Sequence, residues 1–108
     1  QLAQTNGIEV VLCSILPTRQ YPWNLYIKPT KKIERLNIAL RNFARTNDIV
    51  YVDFYTDMVD EKKGMVRTLT YDGVHPNMEG YEIMEEHMQP VIDQLIGRTG
   101  QTNNFAAP

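Results

Sequence analysis

The apolar and polar positions divide the chain into segments of different period. GIEVVLCSILP (7–17) is a nearly unbroken, β-rich apolar run. Alternation would leave one wet face, so a continuous run predicts a strand buried on both faces, as in a parallel sheet covered by helices. Pro17 ends it, because proline cannot donate to a ladder. From Thr30 to Asp48 the period lengthens: Ile33, Leu36, Leu40 and Phe43 fall at helical spacing, with Arg and Lys on the other face. Thr30 suits the N-cap of this helix. Asn47 and Asp48 suit its C-terminal end. IVYVDFY (49–55) predicts a second strand. A last helix starts near Asn77, with Tyr81, Met84, Met88, Val91 and Leu95 as its apolar stripe. Pro90 lies inside that helix and should kink it.

The intervening segments are of three kinds. TRQYPWNLYIKP (18–29) is a loop with two prolines and the large aromatics Tyr21, Trp23 and Tyr26. Such a ring-rich loop either borders a site or packs down over the core edge. Residues 56–74 read as a polar connection, with Gly64 marking a turn. Residues 98–108 form a polar tail expected to fray. Strand, helix, strand, helix in this order is α/β, with parallel strands joined by a right-handed crossover. At 108 residues the chain holds one domain, taken as residues 1–97.

Composition narrows the functional classes. A hydrophobic content of 43% with 22% charged residues favours folding over disorder. The net charge is -2, and acidic and basic residues are interleaved without a basic stripe, which argues against a nucleic-acid partner. The longest apolar stretch, IEVVLCSIL, is far short of the roughly 20 residues of a membrane span. One cysteine, Cys13, permits no intrachain disulfide.

The chemistry concentrates in TYDGVHPNMEGY (70–81). Asp72 and His75 are three apart, just before a helix. In a loop or single turn, that spacing lets the carboxylate reach Nδ1 of its own histidine, fixing the tautomer and leaving Nε2 free to take a proton. Pro76 stiffens the backbone after His75. Asn77 can N-cap the helix, and Gly80 removes a side chain where the first turn would pack closely on the sheet. On spacing alone the bland alternative stays open: Asp72 as a turn residue and His75 as a surface histidine.

Asp72, Gly73, His75, Pro76, Asn77, Gly80 and Tyr81 together resemble the C-terminal histidine block of the SGNH hydrolases, also called GDSL esterases and lipases, which reads D-G-x-H-P-N, two residues, then G-Y. The preceding order of strand, loop, helix and strand is similar to that family as well, so the resemblance covers residues 7–97. It implies a flavodoxin-like three-layer α/β/α sandwich with five parallel strands, of which this chain would hold the C-terminal half. It also implies His75 as general base and then acid, and Asp72 as its orienting carboxylate. Tyr21 and Trp23 would line an acyl or sugar pocket. No metal or organic cofactor is implied. The substrates would be small-molecule or carbohydrate esters.

The family's serine lies in a G-D-S block, and its oxyanion-hole glycine and asparagine lie in two further blocks; none of these is in the sequence. Ser14, the only serine, sits where the fourth strand belongs, and Cys13 shares its apolar setting, which raises a thiol's pKa. Asn47 is better read as a helix cap than as the oxyanion asparagine, and Asp53 as a structural carboxylate. The chain opens on Gln1, and the expectation is that the missing blocks lie before it. The fragment alone should then lack esterase activity. Its first strand should present an open edge and pair with the missing half or with another copy. Two other readings remain: a non-catalytic module binding carbohydrate or protein, and a metal site using Asp72, His75 and His87. Against the latter, His87 sits mid-helix, several turns from the block, beside Glu85 and Glu86, and reads as a solvated residue.

Overall fold

The computed structural model describes residues 2–99. Its elements are α1 (Leu2–Thr5), β1 (Val11–Cys13), α2 (Thr30–Thr46), β2 (Val50–Val52), α3 (Tyr55–Met58), a 3₁₀ turn at Arg67–Leu69, and α4 (Met78–Thr99). The two strands are parallel, with Val11 opposite Val50, Leu12 opposite Tyr51 and Cys13 opposite Val52. This is the expected α/β crossover, with the helix α2 between the strands.

Side-chain alternation assigns the layers. Val11, Cys13, Val50 and Val52 face a core completed by Phe54, Met58, Met65 and Leu69 and by Ile83, Met84, Met88 and Val91 of α4. Tyr51 points to the opposite face, where its hydroxyl lies 3.5 Å from the Asn37 carbonyl of α2. The sheet is thus covered by α4 on one side and α2 on the other, a three-layer arrangement.

Several sequence expectations are corrected. The strand expected over 7–17 is ordered as β only at 11–13, and those residues are half-buried rather than buried on both faces. Among the described residues β1 has one strand neighbour, β2, so its other edge is open. The ladder continues one step, from Ser14 N–H to the Val52 carbonyl. Beyond it the chain pairs with a side chain. Asn37 accepts from Ile15 N–H at 2.7 Å and donates to the Ile15 carbonyl at 3.0 Å.

That amide pair explains why the helix stripe differs from the expected one. α2 buries Ile33, Asn37 and Ala44, while Leu36 and Phe43 are exposed. Asparagine takes the core position because two backbone groups at the strand end need partners. Thr30 is the first helical residue and not the cap. Pro29 holds the cap position without a side-chain bond. Asn47 is the C-cap, as expected, and Asp48 follows in a left-handed conformation.

The segment 56–74 is not merely a polar connection. Met58, Met65 and Leu69 are buried and supply the centre of the core. Their irregular spacing shows neither helical nor strand period. A turn closes the segment at Gly64, where Asp60 Oδ1 accepts the amides of Lys62 and Gly64. Along α4 the half-buried stripe is Ile83, Met84, His87, Met88, Val91 and Leu95, and Tyr81 is exposed. The helix is continuous through Pro90 and reaches Thr99. The rest of the polar tail, residues 100–108, lies outside the described residues.

Candidate active site

The loop between the 3₁₀ turn and α4 folds on short-range bonds written into its sequence. Thr70 accepts from Gly73 N–H at 2.9 Å and donates its hydroxyl to the His75 carbonyl at 2.7 Å, closing the loop on itself. Gly73 sits at φ +86°, where a side chain would be strained. Asn77 binds three ways. Its Oδ1 accepts Gly80 N–H at 3.0 Å, its Nδ2 donates to the Thr68 carbonyl at 2.9 Å, and its backbone N–H donates to the Leu69 carbonyl at 2.8 Å. It is therefore the expected N-cap of α4, and it also ties the helix to the 3₁₀ turn. Gly80 is needed for a close approach, but to the Leu69 carbonyl and not to the sheet. A Cβ there would lie 2.5 Å from that oxygen and 2.9 Å from Pro76 Cβ.

Asp72 and His75 are brought together. Asp72 Oδ2 is 2.6 Å from His75 Nδ1, and Asp72 Oδ1 accepts the amides of Val74 at 2.8 Å and His75 at 2.7 Å. The His75 backbone amide, then its side chain, then the Val74 amide hold the Asp72 carboxyl down to about 2, against a partial desolvation that opposes them. The group is thus an ionised, acceptor-only carboxylate across the neutral range. An acceptor-only partner requires Nδ1 to be the donor, which leaves Nε2 of the neutral ring as the proton acceptor. Tyr71, which the sequence did not single out, lies nearly parallel to the imidazole, with centroids 6.2 Å apart and planes at 11°. The imidazole is thus held at Nδ1 by a carboxylate and neighboured by a near-parallel ring.

A second contact steadies the loop from a distance. Thr18 is buried after the end of β1, and its hydroxyl donates to the Gly73 carbonyl at 2.8 Å and, more weakly, to Gln20. Nothing in the local sequence signals this bond, which spans 55 residues. Beside Asp72, an open cavity of about 620 Å³ is lined in part by Arg19, Gln20, Lys62, Arg67 and Gly73. Tyr21 and Trp23 stack on each other at 5.1 Å in the neighbouring loop. Trp23 is 66% exposed, and neither ring is in the lining of that cavity, although Pro22 between them is.

The remaining candidates have other roles. Ser14 is buried, and its Oγ accepts the amides of Phe54 at 2.9 Å and Tyr55 at 3.1 Å, satisfying the start of α3. Burial pushes the Cys13 thiol up, away from the reactive range. Asp53 accepts from Thr56 N–H and Thr56 Oγ1 and pairs with Arg41 at 3.3 Å, as a structural carboxylate does. The reading of His87 as solvated is corrected. Its Nε2 lies 2.7 Å from Asp57 Oδ2 and its ring meets Phe54 edge-on, because it faces α3. It does not join Asp72 and His75, and among the described residues no three His, Cys, Asp or Glu side chains converge as a metal site would require.

Fold and pair together describe a parallel α/β protein with a bonded Asp72–His75 pair in the loop at the head of its last helix. Comparison with known proteins gives this class its family. Residues 1–83 match the GDSL-like lipase/acylhydrolase family. The chain belongs to that family. Among solved structures it is similar to a candidate acylhydrolase from Bacteroides fragilis, at 41% identity and TM-score 0.84, over 88% of this chain and 47% of that one. It is equally similar to a GDSL-like lipase from Bacteroides thetaiotaomicron, at 41% identity and TM-score 0.84, over 87% and 47%. A candidate platelet activating factor from Streptococcus pneumoniae, 24% identical with TM-score 0.70 over 83% and 44%, shares the fold. The chain spans about half the length of these structures. No curated protein matches it.

Proposed function

We propose that this chain contributes the acid–base half of a serine esterase or acylhydrolase site. The observation that carries the reading is the Asp72–His75 pair, with its fixed carboxylate and its accepting Nε2. In the reaction, a serine hydroxyl from another part of the parent protein attacks an ester carbonyl while His75 Nε2 takes its proton. The tetrahedral intermediate collapses, the C–O bond to the alcohol breaks, and His75 returns the proton to the leaving alkoxide. Water then cleaves the acyl-enzyme by the same relay, and Asp72 stabilises the imidazolium each time it forms. Oxyanion donors, like the serine, come from outside this chain. No cofactor is required.

The substrates we propose are acyl esters of small alcohols or sugars, with carbohydrate O-deacetylation as the narrower assignment. The exposed Tyr21–Trp23 stack supports that choice, because aromatic faces suit sugar rings. The 108-residue chain alone is inactive, since Ser14 is committed to α3. In the parent, the open edge of β1 is covered by a further strand, and without it the chain self-associates. That commitment of Ser14 also favours a second reading, a module that binds carbohydrate or protein without hydrolysing it.

The test uses the parent reading frame and the 108-residue chain side by side, with a chromogenic acetate ester and a fluorophosphonate label. The parent should hydrolyse the ester and label on an upstream serine. His75→Ala should lower kcat at least about a thousandfold. Hydrolysis by the short chain, or a parent whose activity survives His75→Ala, would overturn the proposal. A parent with neither labelling nor turnover leaves the binding-module reading.

A further inference from the structure

Three cations line the cavity beside Asp72: Arg19, Lys62 and Arg67. None forms an ion pair among the described residues, although the chain carries more acidic than basic residues. Two carboxylates share the lining, Asp60 and Asp72, but both are engaged elsewhere. Asp60 Oδ1 accepts the Lys62 and Gly64 amides, and both oxygens of Asp72 are taken by Val74 and His75. Three cations thus face two carboxylates in the lining, and among the described residues no ion pair joins them.

Their placement is built rather than incidental. Arg19 follows the buried Thr18, whose hydroxyl is bonded to Gly73. Arg19 packs against Gly64 at its base: a Cβ on residue 64 would meet Arg19 Cβ at 3.1 Å. Arg67 opens the 3₁₀ turn whose Leu69 is part of the core. Arg19, Lys62 and Arg67 thus border an open volume of about 620 Å³, large enough to admit a sugar ring and its charged substituent.

We propose that this cavity binds an anionic group carried by the ester substrate: a carboxylate, sulfate or phosphate on the sugar or alcohol. Thr70, Asp72 and Gly73 of the histidine loop belong to its lining, so an anion held there lies against that loop and selects for charge. The inference rests on the hydrolase reading for its term "substrate", but anion binding itself does not need catalysis. Non-hydrolysable probes therefore separate the two.

The experiment titrates the 108-residue chain with methyl glucuronide, methyl glucoside, sulfate and inorganic phosphate, following backbone amide shifts by NMR. The glucuronide or one of the oxyanions should shift the amides of Arg19, Gly64 and Gly73, while the neutral glucoside should not. Arg19→Ala with Arg67→Ala should weaken that binding about tenfold or more, and added sodium chloride should weaken it too. Saturation by glucuronide assigns the anion to a carboxylate, and saturation by sulfate or phosphate alone assigns it to an oxyanion ester. Glucoside binding as well as glucuronide, shifts away from the cavity, or equal affinity in the double variant would overturn the inference. The same protein may fail every esterase assay without touching this result, and the converse also holds.

Discussion

Gly80 and Gly97 both lie in α4, and the structure assigns them opposite responses to one substitution. At Gly80 a new Cβ would stand 2.5 Å from the Leu69 carbonyl oxygen and 2.9 Å from Pro76 Cβ. The first obstacle is backbone, and that oxygen already accepts the Asn77 amide, so it cannot swing aside alone. Gly80→Ala must therefore pry the head of α4 from the 3₁₀ turn. Overpacking of this kind costs about 1–3 kcal/mol, and the helix-propensity gain of alanine over glycine offsets at most about 1 kcal/mol of it. The net loss is about 1–2 kcal/mol, or roughly 5–10 °C in Tm for a domain of this size. At Gly97 nothing lies within 4 Å, so Gly97→Ala should be neutral or stabilising by up to about 1 kcal/mol. Urea unfolding followed by far-UV circular dichroism measures both, with wild type as reference. Amide exchange at Asn77 and Gly80 should accelerate in Gly80→Ala only. Equal stability of Gly80→Ala and wild type, or equal damage at the two positions, would refute the argument.

The histidine loop should report its own pH limit. The Asp72 carboxyl is held down to about 2 from an ordinary 3.8, so its folded-state pKa lies below its unfolded one. Its stabilisation is therefore complete above 3.8 and is lost as pH falls through about 2. The Val74 and His75 amide shifts should titrate at the lower value, and Asp72→Asn should abolish the step; a midpoint near 3.8 would contradict the geometry. Ser14→Ala should cost about 1–3 kcal/mol by stranding the Phe54 and Tyr55 amides, yet leave turnover per folded parent molecule unchanged. A loss of turnover beyond the loss of folded protein would contradict the purely structural role of Ser14.

How far the sequence could be read depends on the range of the interactions. Asp72, His75, Asn77 and Gly80 were legible because their partners lie within a few residues, where spacing alone constrains geometry. The two strands and the two long helices were legible from their apolar period. What escaped is bonded across distance. Asn37 displaces Leu36 and Phe43 from the helix interface because it meets Ile15, 22 residues away. His87 is drawn from solvent by Asp57, 30 residues away. Met58, Met65 and Leu69 hid in a polar segment because they lie in α3, the connection after it and the 3₁₀ turn, so no single period links them. Three cations around one cavity were likewise invisible, since Arg19 and Arg67 meet only in the fold.

The Thr18 hydroxyl fastens the histidine loop at the first residue of the aromatic loop. Beyond that fastening Tyr21 is half-buried and residues 22–28 are exposed, until buried Pro29 returns the chain to α2. Insertions or deletions in the overhang change what the loop can reach, but not the anchor on which Gly73 rests. The overhang is thus an exchangeable part. A change in its length or ring content should leave the Asp72–His75 contact in place, because the Thr18 bond to Gly73 lies outside it.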